Sequence, residues 1–487
     1  MNYDQMQMPF LESLLQERDR WATSFHMPGH KGTLSLPPLL ESLIGDRPFS
    51  ADIVSINDNI DYLHNPQTTL AQAQQLAAEA YGADHTFFLI NGSTVGNIAA
   101  VMSTTSDKQA IVMMRSSHRS VYSGVVLSGA MPIYIEPEYH PLIGSPLAAR
   151  PDVIHELLQK HRNVAAVHIT SPNYYGVLSD TAQIASIAHQ YEAALLVDEA
   201  HGSHLHFHPD LPASATQLGA DIIVQSTHKT QGALTQCSML HVNDGIVNVG
   251  RVGQVLAVLQ TSSPSSILLA SLDASRMQMA TEGRAKLDDI IPLAQWARQQ
   301  IQAIDGLWCY GDDLLGIGGV YAYDPTKLII RVTDIGYNGY EAYAKLRNEH
   351  GIDCEFSDLR QVICSLTIGD NEASITKLVN AFRVLASEKR PLRSQAPEVA
   401  PPAGLPTIAL SPRDAYYAPS RSIPIEQAIG EVVAENIIPY PPGIPLLVPG
   451  EIIEQQHLDY MRYIMREGGK VIGPEDKSIQ YVRIITT

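Results

Sequence analysis

The chain has 487 residues, room for about three domains of roughly 150 residues each. Its net charge of −18, with 33 Lys plus Arg against 51 Asp plus Glu, argues against a phosphate-backbone partner such as nucleic acid. No apolar run approaches the ~18 residues of a membrane span, and the opening MNYDQMQMPFLESLL lacks the basic and apolar regions of a secretory signal. Cys237, Cys309, Cys354 and Cys364 lie far apart with no C-x-x-C pair. That usage fits a reducing, cytoplasmic setting better than a disulfide scaffold or zinc site.

From about residue 86 to 242, short apolar runs alternate with helical stretches. Strands are expected at Thr86–Ile90, Ala110–Met114, Val164–Ile169, Ala193–Val197 and Asp221–Val224. Between them, Thr181–Tyr191 repeats Ile184, Ile187 and Ala188 at helical spacing. Near-continuous apolar strands alternating with helices imply an α/β fold, a mostly parallel sheet covered on both faces. Such sheets bind ligands at the carboxyl ends of their strands. A second α/β unit follows, with a helix around Leu287–Ile304 and a strand at Lys327–Val332. The passage SEKRPLRSQAPEVAPPAGLP (387–406) reads as a linker. The Pro-dense VAENIIPYPPGIPLLVPGE (433–451) then predicts a rigid extended segment rather than a central strand or helix. The expected units are an N-terminal segment 1–20, a large domain 21–284, a smaller domain 285–390, a linker 391–406 and a C-terminal domain 407–487.

The polar exceptions fall just after the apolar runs. Asn91-Gly92-Ser93-Thr94 opens a helix and suits a phosphate group, although Ser93 or Thr94 also suits simple N-capping. It is neither a P-loop nor a dinucleotide fingerprint. His118 follows the second strand, where an imidazole can stack on a flat cofactor or serve structure alone. Asp198 closes the fourth strand, where a carboxylate can keep a ring nitrogen protonated or cap the next turn. The letters DEAH around it also occur in helicases, but no Walker A motif lies upstream. His201, His204, His206 and His208 suggest a metal only if the segment is extended, and no second ligand cluster exists, so no metal is expected. Lys229, in Gln225-Ser226-Thr227-His228-Lys229-Thr230, is a candidate Schiff-base former at the same edge. Phosphate-type loop, carboxylate and lysine in this order suit one cofactor lying across the strand ends.

The segments HMPGHKG (26–32), NGSTVGN (91–97), SPNYYGV (171–177), VDEAHGSHLHFH (197–208), QSTHKTQGALTQ (225–236), TSSPSSILLASLD (261–273) and IPYPPGIPLLVPGE (438–451) occur in that order. With the tail GPEDKSIQYVRII (473–485), they resemble the bacterial ornithine/lysine/arginine decarboxylases of the aspartate-aminotransferase fold (fold type I). The resemblance is greatest to arginine decarboxylases of the biosynthetic type, which implies arginine decarboxylation to agmatine in polyamine synthesis. Lysine and ornithine are the alternative substrates. Another reaction on the same scaffold, such as transamination or elimination, and a non-catalytic binding relative are the alternative classes.

The resemblance implies pyridoxal 5'-phosphate held covalently by Lys229. Asp198 would pair with the ring nitrogen and His118 would stack on the ring. Ser93, Thr94, Ser226 and His228 would hold the phosphate. Thr261 or Ser262 would reach a neighbouring subunit's phosphate, in a homodimer or higher homo-oligomer whose sites lie at the dimer interface. His201 would line the cofactor and substrate pocket, and Glu435 would meet the substrate's distal cation. Two departures stand out: the response-regulator-like N-terminal domain of the long enterobacterial forms is missing, so their decamer is not expected, and Arg119 stands where lysine is common. An acidic surface concentrates a cationic substrate through a field that salt screens. We therefore expect kcat/KM to fall with ionic strength in steady-state assays; a flat profile contradicts this.

Overall fold

The structure, a computed structural model, describes residues 4–20, 23, 25–32, 36–45, 47–54, 60–142, 144–388, 390–391 and 401–486. Most of the expected linker, residues 392–400, lies outside the described residues.

The large domain is built on a seven-stranded sheet. Its spatial order is His85–Leu89, Ser238–Val242, Ile222–Gln225, Ala194–Asp198, Val164–Thr170, Ala110–Met114 and Met131–Ile135. The last five are mutually parallel, and Ser238–Val242 pairs antiparallel with both of its neighbours. All five strands expected from apolar runs are present. The two not expected are the edge strand Met131–Ile135, interrupted by Pro132, and the reversed strand Ser238–Val242. Val95, Val121, Val125 and Leu256 cover one face of the sheet, while Ile154, Leu158, Ile184 and Ala188 cover the other. Burial on both faces is why these strands read as unbroken apolar runs.

The expected helix at 287–304 is the second half of a 37-residue helix, Ser266–Gln302. It runs through the domain boundary placed at residue 284. Its first half supplies Leu269 and Leu272 to one core, and its second half supplies Ile290, Ala294, Ala297 and Ile301 to another. The small domain adds a four-stranded antiparallel sheet ordered Phe356–Ser357, Gln361–Ser365, Lys327–Arg331 and Trp308–Cys309. In the C-terminal unit, Ser420–Pro424 pairs with Tyr481–Ile485. The Pro-dense segment is not wholly unpaired, since Ile438–Tyr440 forms a short antiparallel ladder with Lys470–Ile472. A two-stranded ladder leaves both strands at an edge, which is where proline is tolerated.

Arg115 fastens the C-terminal unit to the large domain. It follows the strand Ala110–Met114, is buried, and donates to the carbonyls of Pro445 and Leu446 and to the Tyr122 hydroxyl. Its guanidinium also lies 2.9 Å from Glu451, whose side chain is 1% exposed. Removing one member of such a pair leaves a buried charge alone, at a cost of about 3–5 kcal/mol. Glu451→Ala is expected to lose that much in urea unfolding and to be cleaved faster by protease in the C-terminal unit. Wild-type stability and cleavage would contradict this.

Candidate active site

Parallel strands deliver their carboxyl ends to one edge, and the polar residues after them meet there. After Leu89 comes Gly92, whose φ of 73° is one that glycine adopts freely, at the start of the helix Gly92–Thr104. No side chain caps that helix; the Gly92 N–H donates to the Gln236 carbonyl at 3.0 Å, and the amides after it in the first turn have no capping side chain. Gly96 allows the helix to lie directly on the sheet: a Cβ there would meet Val224 Cγ1 at 2.6 Å. Ser93 Oγ lies 2.8 Å from Ser226 Oγ, which joins the helix start to the loop after Ile222–Gln225. The neighbouring Thr227 hydroxyl is buried with no hydrogen-bond partner. Open amides and hydroxyls at a helix N-terminus form an anion cradle.

Asp198 ends its strand with 3% exposure. Its Oδ2 accepts from Asn97 Nδ2 at 2.8 Å and its Oδ1 from the Ala200 N–H at 3.1 Å. Among the described residues no cation forms an ion pair with it, and burial pushes its carboxyl pKa up. The adjacent Glu199 differs: it receives Ser214 Oγ, the Ala215 N–H and Gln225 Nε2, and burial raises it to about 7. Glu199 is a core fastener, whereas Asp198 is a buried carboxylate with no ion pair among the described residues. His118 caps the helix Arg119–Ser128, with Nδ1 2.8 Å from Ser120 Oγ. Burial, with the charges of Lys229 and Arg119, lowers its pKa to about 4, so the half-buried ring is neutral at pH 7.

Lys229 sits in the single turn Thr227–Thr230, after the strand Ile222–Gln225. It lines a cleft of about 620 Å³ together with His228, Glu355, Ser365, Thr367 and Asp370. His228 is turned by its own bond, Nδ1 to the Cys237 carbonyl at 2.8 Å. Lys229 Nζ lies 3.0 Å from His201 Nε2, and Lys327 Nζ lies 3.2 Å from His201 Nδ1. Lys327 in turn pairs with Glu355 Oε2 at 2.5 Å. Tyr174 packs edge-on to the His201 ring, centroids 5.4 Å apart. Enclosure by protein and the charge of Lys327 lower the Lys229 pKa, against Asp198 and Glu355, which raise it. A second, smaller cavity, about 120 Å³, is lined by Tyr139, Tyr175, Tyr340, Tyr460 and several prolines. Its carboxylate, Asp358, already accepts from Tyr175, Gln361 and Arg360, which leaves the Lys229 cleft as the candidate site.

Ser93, Asp198, His201, Ser226, His228 and Lys229 therefore gather at one strand-end edge, with Thr94 and His118 on the elements bordering it. Thr261 and Ser262 do not join them within this chain; both are exposed ahead of the long helix, and Thr261 Oγ1 accepts from the Ser263 N–H. Glu435 is likewise elsewhere, its carboxylate accepting the N–H groups of Glu475 and Arg483 in the C-terminal unit. The histidine segment is not extended: Leu205–Phe207 is a 3₁₀ turn, so His204, His206 and His208 do not share one face. His204 meets Asp324 and His208 meets Asp288. Sequence reasoning missed Asn97, Tyr174, Lys327 and Glu355. Asn97 and Tyr174 lie inside motifs already singled out, and Lys327 is a charge opening an apolar strand. Glu355 carries no local signal.

The Orn/Lys/Arg decarboxylase major-domain model matches residues 8–312, and the C-terminal-domain model of the same family matches residues 398–473. The chain belongs to that family. It is 41% identical over 482 residues to an arginine decarboxylase of Halalkalibacterium halodurans, covering 99% of this chain and 98% of the relative. It is 40% identical over 488 residues to an arginine decarboxylase of Bacillus anthracis, with the same coverage. A crystal structure of a Francisella novicida lysine decarboxylase superimposes with a TM-score of 0.84 at 20% identity, over 99% of this chain and 81% of that one. At that identity the likeness establishes the fold.

The neutral His118 has a consequence for acid stability. Its folded pKa of about 4 lies below the ordinary 6.5, so beneath pH 6.5 the unfolded chain binds a proton that the native state refuses. Its contribution is lost as pH falls from about 6.5 toward 4. In urea unfolding of the cofactor-free protein, His118→Phe should lose less stability than wild type across that window; parallel profiles would contradict this.

Proposed function

We propose that this member of the Orn/Lys/Arg decarboxylase family is a pyridoxal-phosphate enzyme that converts arginine to agmatine and CO₂. The observation that carries the cofactor is the pairing, at one strand-end edge, of a buried carboxylate lacking a cation with a lysine facing a cleft. An open helix N-terminus on the same edge suits the phosphate. These residues fit the group: Lys229 would hold it covalently, Asp198 would meet its ring N–H, His118 would stack on it, and Ser93, Thr94, Ser226 and His228 would hold its phosphate. The names carried by the two full-length relatives at 40–41% identity support arginine as the substrate.

When bound, this cofactor supplies an electron sink for the pair left at Cα as CO₂ departs. The chain's own residues make the sink effective. Asp198, enclosed and with no ion pair among the described residues, would favour a protonated ring nitrogen, and Asn97 holds its Oδ2 in place. His118, kept neutral, would cover the ring without adding a competing charge. His201, gripped from both sides, would orient the Lys229 amine toward the cofactor.

The proposal includes a second copy of the chain. The helix Pro38–Ile44 buries none of its residues, and Leu39 and Leu43 are 86% and 77% exposed. A partner subunit of the same chain would cover that apolar face and bring its cofactor phosphate within reach of Thr261 or Ser262.

With pyridoxal phosphate supplied, arginine, lysine and ornithine offered separately should give CO₂ with agmatine as the dominant amine. Lys229→Ala should reduce turnover by roughly 10³-fold or more. Cadaverine or putrescine as the main product would move the substrate to lysine or ornithine. Keto acid or ammonia without CO₂ would overturn the reaction class.

A further inference from the structure

The small domain contributes to the Lys229 site through two residues that the family motifs above do not contain. His201 stands between two lysines, with Nε2 3.0 Å from Lys229 Nζ and Nδ1 3.2 Å from Lys327 Nζ. A neutral imidazole offers one donor and one acceptor, whereas an ammonium only donates. A charged imidazole is excluded by its surroundings, because burial above all, and the charge of Lys327 beside Nδ1, hold the His201 pKa well below its ordinary value. Both lysines therefore cannot be ammonium ions while each is bonded to the ring. One of them must present a lone pair.

The geometry decides which. Lys327 is 1% exposed and lies 2.5 Å from Glu355 Oε2, a carboxylate that also accepts from Ser365 Oγ. An ammonium set against a carboxylate acts as a donor on each of its contacts, so Lys327 donates to Glu355 and to His201 Nδ1. The ring proton is then on Nε2, aimed at Lys229. The competing arrangement places the proton on Nδ1, toward Glu355 Oε1 at 3.4 Å, but there it would confront the closer ammonium of Lys327.

We propose that the Lys327–Glu355 pair is a positioning device that holds the His201 proton on Nε2 and thereby keeps Lys229 an uncharged amine, ready to add to the cofactor's aldehyde. This rests on Lys229 being the cofactor lysine. In the capture step Nζ forms a double bond to the aldehyde carbon, and its two protons leave with the aldehyde oxygen as water. An ammonium, having no lone pair, cannot begin that step. The charged and titratable groups around Lys229 are Asp198 at the adjacent strand end, His118 at the helix start, His201, its own neighbour His228, and Lys327 with Glu355 from the small domain.

The test is the pH dependence of the rate at which full-length, cofactor-stripped protein captures added pyridoxal phosphate, followed by absorbance. Borohydride reduction and peptide mapping locate the attachment. Lys327→Met should shift the midpoint upward by about one pH unit or more, with about a tenfold slower capture at pH 7. Lys327→Arg, which keeps a permanent donor against Nδ1, should return it toward wild type. Glu355→Gln separates this device from simple charge. Loss of a negative neighbour alone would lower the midpoint, whereas freeing Lys327 to surrender its proton allows Lys229 to keep one and raises it. A midpoint unmoved in Lys327→Met, or lowered in Glu355→Gln, overturns the proposal while capture at Lys229 still stands. Wild-type capture at a residue other than Lys229 overturns both readings.

Discussion

An enclosed carboxylate without a cation is the constraint around which this molecule is arranged. Burying an ionised group alone is costly, and proteins normally pair it or neutralise it. Asp198 receives two hydrogen bonds, from Asn97 and the Ala200 N–H, yet no ion pair among the described residues. The parallel sheet explains how it came to be there, since Asp198 is the last residue of a fully buried strand flanked by two others. Glu199, one residue on, faces the opposite way and is satisfied by Ser214, Ala215 and Gln225. Alternation along an extended backbone thus sends one acid into a hydrogen-bonded core and the other to the candidate site.

The second organising feature is that the site belongs to two domains. The large domain supplies Lys229, His201 and Asp198, and the small domain supplies Lys327 and Glu355 across the cleft. The helix Ser266–Gln302 contributes to the cores of both, so the two domains share a rigid spine. The His201 ring, clamped between Lys229 and Lys327 and packed against Tyr174, is the point where they meet in the candidate site. The C-terminal unit is fastened separately, through Arg115 at a strand end of the same sheet.

Much of the large domain was legible because strands buried on both faces leave an unmistakable trace, a short apolar run ending in a polar oddity. The expected site residues at those ends gathered as the parallel-sheet rule requires. Ser238–Val242 escaped because it carries His241 and runs against its neighbours, which no local pattern announces. Lys327 and Glu355 escaped for a deeper reason: their partnership with His201 spans more than a hundred residues and exists only once the small domain folds over the edge. Glu435 shows the converse. Its acidity in the C-terminal segment suggested substrate contact; within this chain its carboxylate accepts the N–H groups of Glu475 and Arg483 in the C-terminal unit.

The account stands on Asp198 as the counter-ion of a protonated ring nitrogen. The most direct measurement compares dissociation constants of pyridoxal phosphate and its analogue with the ring nitrogen replaced by C–H, for wild type and Asp198→Ala. The account predicts that Asp198→Ala weakens pyridoxal phosphate strongly but leaves the carbocyclic analogue unaffected or bound more tightly. Equal weakening of both ligands, or no change in either, would contradict it.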